Sequence, residues 1–428
     1  MRTQTCASVV VILLAGATLA SQPPPSGNRR AFAGMRVIDT ATGTSIDNAI
    51  LVVQDGKVVA LGPPGRTAIP PGTGTTRLDG KTVLPGLISA HVHVSDVQGA
   101  GPRAYTDANT LRQLGVFARY GITTVWSLGG EQAPGFRARD TQATPSLDRA
   151  RIYLSGDVIV GKTPEDARRM VASVAALKPD VIKIRVDDNL GAAAKMTPDV
   201  YGAVIDEAHR RGHRVAAHIF YLDDAKGLLK GGVDAIVHSV RDRDIDEEFI
   251  GLMKARNVPY CPTLMREVST FVYESTPTFF ADAFFLREAD RQLVARLQEP
   301  ERQQAMRTSR SAQAYKAALE VAKRNLKRAS DAGVLIAMGT DAGPAPERFQ
   351  GFFEHLEMEM MVAAGLTPAR VLRAATVDAA RAMGVSGVGT LEAGAWADFV
   401  VLDNDPLAAI RNTRTIADVF IAGNRVAQ

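Results

Sequence analysis

Between Val83 and Met338 the sequence alternates short apolar runs with longer segments of helical spacing, and it does so eight times. The runs are Val83 to Leu87, Thr123 to Leu128, Arg151 to Ser155, Val181 to Val186, Arg214 to His218, Ala235 to His238, Val258 to Pro262 and Val334 to Met338. Pro164 to Leu177, Pro198 to Arg211 and Leu222 to Lys230 carry the period of a helix that buries one side. Repeated units of this kind predict an α/β protein, and eight of them close into a TIM-like (β/α)8 barrel.

The two ends of the chain follow a different grammar. Gly34 to Asp39 and Ala49 to Ala60, with a hairpin step at Asp55-Gly56, have the pattern of strands without intervening helices, as do Ala397 to Asp403 and Ile416 to Val426. Each end alone supplies too few strands to bury a core. The expectation is therefore one small β-sandwich built from both ends, residues 34–84 with 392–428, beside a barrel over 85–391. Residues 265–332 form an insert whose first half contains Phe271, Tyr273, Phe279, Phe280, Phe284 and Phe285. An aromatic insert of this length is either a lid over the barrel mouth or a satellite cluster that fastens the insert down.

Residues 1–20 stand apart. Arg2 precedes the apolar stretch Val9 to Leu19, which closes on Ala17-Thr18-Leu19-Ala20, the form of a secretory signal peptide, and residues 21–33 follow as a flexible linker. This predicts a periplasmic or secreted protein with no stable membrane association once the signal is removed. Cys261 is then the one remaining cysteine, so no intramolecular disulfide is expected, and its setting beside Tyr260 and Pro262 favours packing over reactivity. A net charge of +4 is spread among interleaved acids rather than gathered in a basic run, which excludes nucleic acid as the natural partner. Small molecules or short peptides remain, and homo-oligomerisation is left open.

Barrel strands present functional side chains at their carboxyl ends. The first run ends in His91-Val92-His93, where the period of a strand turns both imidazoles to one side. The fifth ends at His218 and the sixth at His238, and the eighth delivers Asp341. Four imidazoles and a carboxylate at equivalent positions suit a zinc-like metal, with manganese or iron also compatible with a mixed donor set. Asp341 is the expected proton acceptor from a metal-activated water, although Asp is also a common helix cap. Lys183 lies inside the apolar run Val181 to Val186, where a free ammonium is costly to bury. It needs an ion pair with Asp187 or Asp188, or conversion by carbon dioxide to an anionic carbamate. Tyr221 and Arg185 are candidates to hold substrate oxygens. Glu354, His355, Glu357 and Glu359 share a helix read as a mostly solvated face, with His355 a further candidate for the site.

With these residues assembled, the chain resembles the amidohydrolase superfamily from residue 34 onward. The resemblance is carried by Leu84-Pro85-Gly86-Leu87-Ile88-Ser89-Ala90-His91-Val92-His93, Asp180-Val181-Ile182-Lys183-Ile184, Gly232-Val233-Asp234-Ala235-Ile236-Val237-His238 and Gly339-Thr340-Asp341-Ala342-Gly343. It implies that His91, His93 and Asp341 bind one divalent metal, that His218 and His238 bind a second, and that carboxylated Lys183 bridges them. Within the superfamily the chain is most similar to prolidase-like and carboxypeptidase-like members, which implies hydrolysis of dipeptides or N-acyl amino acids. The alternatives are a mononuclear hydrolase of cyclic amides, lactones or other esters, and a non-catalytic periplasmic ligand-binding barrel.

Overall fold

Strand formation begins at Arg29 in the computed structural model, which describes residues 28–427. The signal-like segment lies outside the described residues. Residues 29–33 are not linker as expected: Ala31 and Phe32 are buried and pair with Val52 and Leu51. The N-terminal strands are β1 (Arg29–Asp39), β2 (Thr44–Gln54), β3 (Lys57–Gly62), β4 (Gly74–Arg77) and β5 (Thr82–Pro85). The parallel strands follow as β6 (Leu87–Val92), β7 (Ile122–Ser127), β8 (Arg151–Leu154), β9 (Ile182–Val186), β10 (Val215–Ile219), β11 (Ala235–Val237) and β12 (Tyr260–Cys261). The chain ends with β13 (Phe399–Leu402), β14 (Ile416–Ile421) and β15 (Asn424–Arg425).

Both ends of the chain share one eight-stranded sheet in the order β15-β14-β13-β5-β1-β2-β3, with β4 alongside β1. It is a single hydrogen-bonded sheet rather than two separate layers, because β5 pairs with β1 on one side and with β13 on the other. Phe32 of β1 nonetheless meets Phe399 of β13 and Phe420 of β14, each at 4.9 Å between ring centroids. Strands about 4.8 Å apart could not bring those rings together if flat, so the sheet curls over its own apolar face. Arg151 of β8 and Asp398, 2.8 Å apart and both buried, tie this sheet to the parallel strands.

The parallel strands form a sheet β6-β7-β8 and a sheet β12-β11-β10-β9. Isolated parallel bridges join Ile159 to Ile184, Tyr260 to Ile336 and Val92 to Ala342. The helices Pro164–Ala175, Pro198–Arg210 and Leu222–Gly231 lie where the sequence periodicity places them. Two expectations shift. The run Val83 to Leu87 is split between β5 and β6, since Gly86 turns to donate to Asp398 O at 2.8 Å, and the first parallel strand extends to Val92. Val334 to Met338 is not a named strand, although Ala337 N donates to Tyr260 O at 3.0 Å and Met338 O accepts from Ala90 N at 2.7 Å.

The insert is helical over Arg291–Leu297, Pro300–Thr308 and Arg310–Asp331. Its aromatic residues make the contacts of a fastening cluster: Phe279 and Phe285 pack on Phe352 at 5.3 and 4.9 Å, and Phe284 packs on Tyr120 at 5.0 Å. Among the described residues no helix is long and apolar enough to cross a membrane.

Candidate metal centre

The site is assembled where the segment after Met338 crosses the end of β6. A Cβ on Gly339 would lie 2.7 Å from His91 N, and one on Gly343, at φ +99°, would lie 2.0 Å from His93 O. Glycine at these two positions lets the backbones touch. Thr340 N and Asp341 N then both donate to His91 O, at 3.0 and 2.9 Å. Asp341 and His238 have φ of 61° and 69°, and non-glycine residues held in the left-handed region concentrate at functional sites.

His93 Nε2 lies 2.9 Å and His91 Nε2 3.4 Å from Asp341 Oδ1, and one potential ligand atom from each of the three residues falls within 4.8 Å of the others. Lys183 Nζ is 3.4 Å from His91 Nε2. The His238 ring stands 4.5 Å from that of His91 and 4.1 Å from that of His218. All six residues implied as ligands line one cavity of about 290 Å³, together with Arg185, Asn189, Arg266 and Arg348.

The donor set fits a divalent metal. Gly129 O is 3.0 Å from His93 Nδ1, so that nitrogen carries a ring proton, and Nε2 faces the Asp341 carboxylate at 2.9 Å. A proton on Nε2 satisfies that contact in the metal-free chain, and a divalent cation would take its place between the same two atoms. Donor atoms on a tetrahedral metal with bonds near 2.0–2.1 Å lie about 3.4 Å from one another, so the observed separations have the right scale.

Burial pushes His91 and His238 well below the ordinary histidine range and His218 down to about 3, so these imidazoles are neutral and metal-competent. Burial alone would raise Asp341, but the Arg348 guanidinium and the hydrogen bond from His93 outweigh it and hold the carboxyl well down. Lys183 is lowered to about 7, chiefly by burial. No carboxylate lies within 4.0 Å of it among the described residues, because Asp187 Oδ2 sits 2.7 Å from His218 Nε2 and Asp188 Oδ1 accepts from Tyr221 OH at 2.9 Å. The ion-pair explanation for this lysine therefore fails. Cys261 is buried and its thiol pushed up by that burial, as a packing residue would be.

Of the three residues expected to meet substrate, only Arg185 lines this cavity. Tyr221 is spent on Asp188. His355 is out of reach: its nitrogens lie 2.9 Å from Thr413 Oγ1 and 2.8 Å from Tyr120 O, and Phe284 packs edge-on against its ring. The helix Phe352–Ala363 also departs from the solvated face expected of it, for Glu354, His355 and Glu357 are fully buried. Each finds polar partners that a helical-wheel pattern cannot show. Arg266 and Arg348 were not foreseen as cavity residues. Arg348 follows the turn Gly343-Pro344 and pairs with Asp341 Oδ2, whereas Arg266 opens the insert; neither position has a periodic signal.

A largely buried His-His-Asp cluster beside the ends of parallel strands is a site that could hold a divalent metal. The model of the amidohydrolase family matches residues 82–426, and the chain belongs to that family and hydrolyses carbon–nitrogen bonds of the amide type. An uncharacterized protein of Mycobacterium tuberculosis is 29% identical over 355 residues, covering 80% of this chain and 85% of the relative. Ochratoxinase of Aspergillus niger is 27% identical over 267 residues, 60% of this chain and 48% of that enzyme. A Bifidobacterium longum protein assigned as a prolidase superposes with a TM-score of 0.75 at 26% identity, covering 94% of this chain and 96% of the other.

Proposed function

We propose that the protein cleaves the amide bond of dipeptides or N-acyl amino acids at a two-metal centre inside a closed (β/α)8 barrel. The observation that carries the substrate class is Arg185. It lines the same cavity as the His-His-Asp cluster, and its buried Nε has no hydrogen-bond partner among the described residues. A substrate carboxylate would satisfy it by a charge-assisted pair. A cavity of about 290 Å³ holds a small ligand of this size. The three isolated bridges between the parallel sheets support barrel closure.

His91, His93 and Asp341 would hold one metal, His218 and His238 the second, with a carbamate on Lys183 between them. Zinc suits these donors best, and manganese or iron also suits them. When bound, the metals supply Lewis acidity for the carbonyl and lower the pKa of water. Asp341 takes the proton of the attacking water and returns it to the leaving amine. With Lys183 lowered to about 7, a large share of its amine is neutral at pH 7, the form that adds carbon dioxide. A mononuclear reading has one specific support: among the described residues only His91, His93 and Asp341 form a compact candidate cluster.

Metal-loaded protein assayed on N-acyl amino acids, dipeptides and their carboxyl-amidated forms tests the proposal. Turnover of the free acids, with KM raised in Arg185→Met and no such change for the amidated forms, is expected. Turnover confined to lactones or esters favours the mononuclear alternative, and none at all favours a ligand-binding barrel. The N-terminal segment supports export, and intact mass of the mature periplasmic protein would reveal cleavage after residue 20.

A further inference from the structure

The helix Phe352–Ala363 sends two fully buried carboxylates, three residues apart, toward the metal centre, and the hydrolytic proposal uses neither. Residues at this spacing share one helix face. We infer that Glu354 and Glu357 are a pair of positioning residues, one bracing each half of the metal centre. The inference rests on the metal reading proposed above.

Glu354 serves the half that contains His91, His93 and Asp341. Its Oε1 accepts from Thr340 Oγ1 at 2.7 Å and from Ser89 Oγ at 3.1 Å. Thr340 immediately precedes Asp341, and Ser89 lies two residues before His91 on β6. One oxygen atom therefore fixes the distance between the strand that carries the imidazoles and the segment that carries the carboxylate. Its Oε2 is buried without a hydrogen-bond partner among the described residues, so Oε1 alone makes the brace.

Glu357 serves the other half. It accepts from Leu264 N at 2.8 Å through Oε1 and from Met265 N at 2.7 Å through Oε2. Those amides follow Thr263, a β-branched residue at φ 50°, where such residues are strained. Thr263 Oγ1 is 2.7 Å from His238 Nδ1. Both oxygens of Glu357 thus pin the turn whose hydroxyl orients His238, and an outer partner of this sort fixes the tautomer a metal-binding histidine presents. Apolar side chains could fill the same volume without the cost of burying two carboxylates, but they could not hold these hydroxyls and amides in place.

Zinc affinity of the refolded or chelator-stripped chain, measured by competition with a chromophoric chelator alongside zinc content and the thermal midpoint, tests the pair. Glu354→Ala and Glu357→Ala should each weaken zinc by about tenfold, the low end for outer partners of metal ligands. Glu354→Gln should stay close to the unsubstituted protein, because an amide oxygen can replace Oε1. Glu357→Gln should weaken zinc, because one of its two accepting oxygens becomes a donor facing an N–H. That contrast carries the test should either alanine variant fail to fold. Equal zinc affinity in all four variants, or equal weakening by both glutamines, overturns the brace. An unsubstituted protein that binds no zinc overturns the metal reading instead.

Discussion

The two halves of the candidate centre differ in readiness. On one side His91, His93 and Asp341 already converge, and the carboxylate is held by His93 and Arg348. On the other, His218 Nε2 is engaged by Asp187 and His238 Nδ1 by Thr263, and among the described residues these two imidazoles belong to no compact cluster of potential ligands. The first half has a carboxylate placed beside both of its imidazoles; the second has Asp187 at the Nε2 edge of His218 alone. What lies between them is Lys183, buried and without a carboxylate partner among the described residues. Under the two-metal proposal, whether the second half holds metal turns on the chemical state of this one lysine.

The largest effect expected is on the ready half. Asp341→Asn keeps the side-chain shape but removes the proton acceptor, so kcat should fall by roughly a thousandfold while bound metal persists. Undiminished turnover would remove Asp341 from the chemistry. Next in size is Lys183→Ala, expected to bring zinc content from about two equivalents per chain to about one, read by elemental analysis. A fully active unsubstituted protein with one equivalent would reverse the lesson and leave the second half a set of packed imidazoles.

The ready half was also the more legible in the sequence. His91, His93 and Asp341 sit at ends of apolar runs, and strand periodicity alone places the two imidazoles together. His218 and His238 were legible for the same reason. What surrounds them was not. The arginines at positions 266 and 348 enter from irregular segments, where no period says which way a side chain points. Glu354 and Glu357 carry the pattern of a solvated face, yet their partners come from β6, the segment around Thr340 and the start of the insert, all distant in sequence. The α/β alternation was readable throughout. The pairing of β5 with both β1 and β13 was readable only as an expectation that the chain ends meet, since register across hundreds of residues leaves no local mark.

The second half can be loosened without touching a proposed ligand. Asp187 accepts from His218 and from Asn189 N, and His218 holds its carboxyl low against the opposing effect of burial. Asp187→Ala should weaken the second zinc by about tenfold and leave the first in place, so that titration with a chelator resolves two affinities where the unsubstituted protein shows two closer ones. Equal loss from both sites would mean that the halves are not independent.

The smallest effect concerns proton balance in the metal-free chain. Burial raises Glu354 from its ordinary value of 4.5 to about 7. Below the lower value both folded and unfolded chains hold the proton; between the two, the folded chain holds a proton that the unfolded chain releases. The stability this group contributes is therefore present in acid and lost as pH rises through about 7. Lys183 runs the other way: lowered from 10.5 to about 7, it penalises the folded chain below 7 and relieves it as pH rises from there toward 10.5. Glu354→Gln removes only the first of these. The stability of the glutamine variant relative to the unsubstituted chain should thus improve from pH 5 to pH 8 by on the order of 1 kcal/mol, as read from denaturant midpoints of the metal-free proteins. A relative stability of the variant that stays constant, or that falls with rising pH, would show that the Glu354 carboxyl is already ionised at pH 5 in the folded chain.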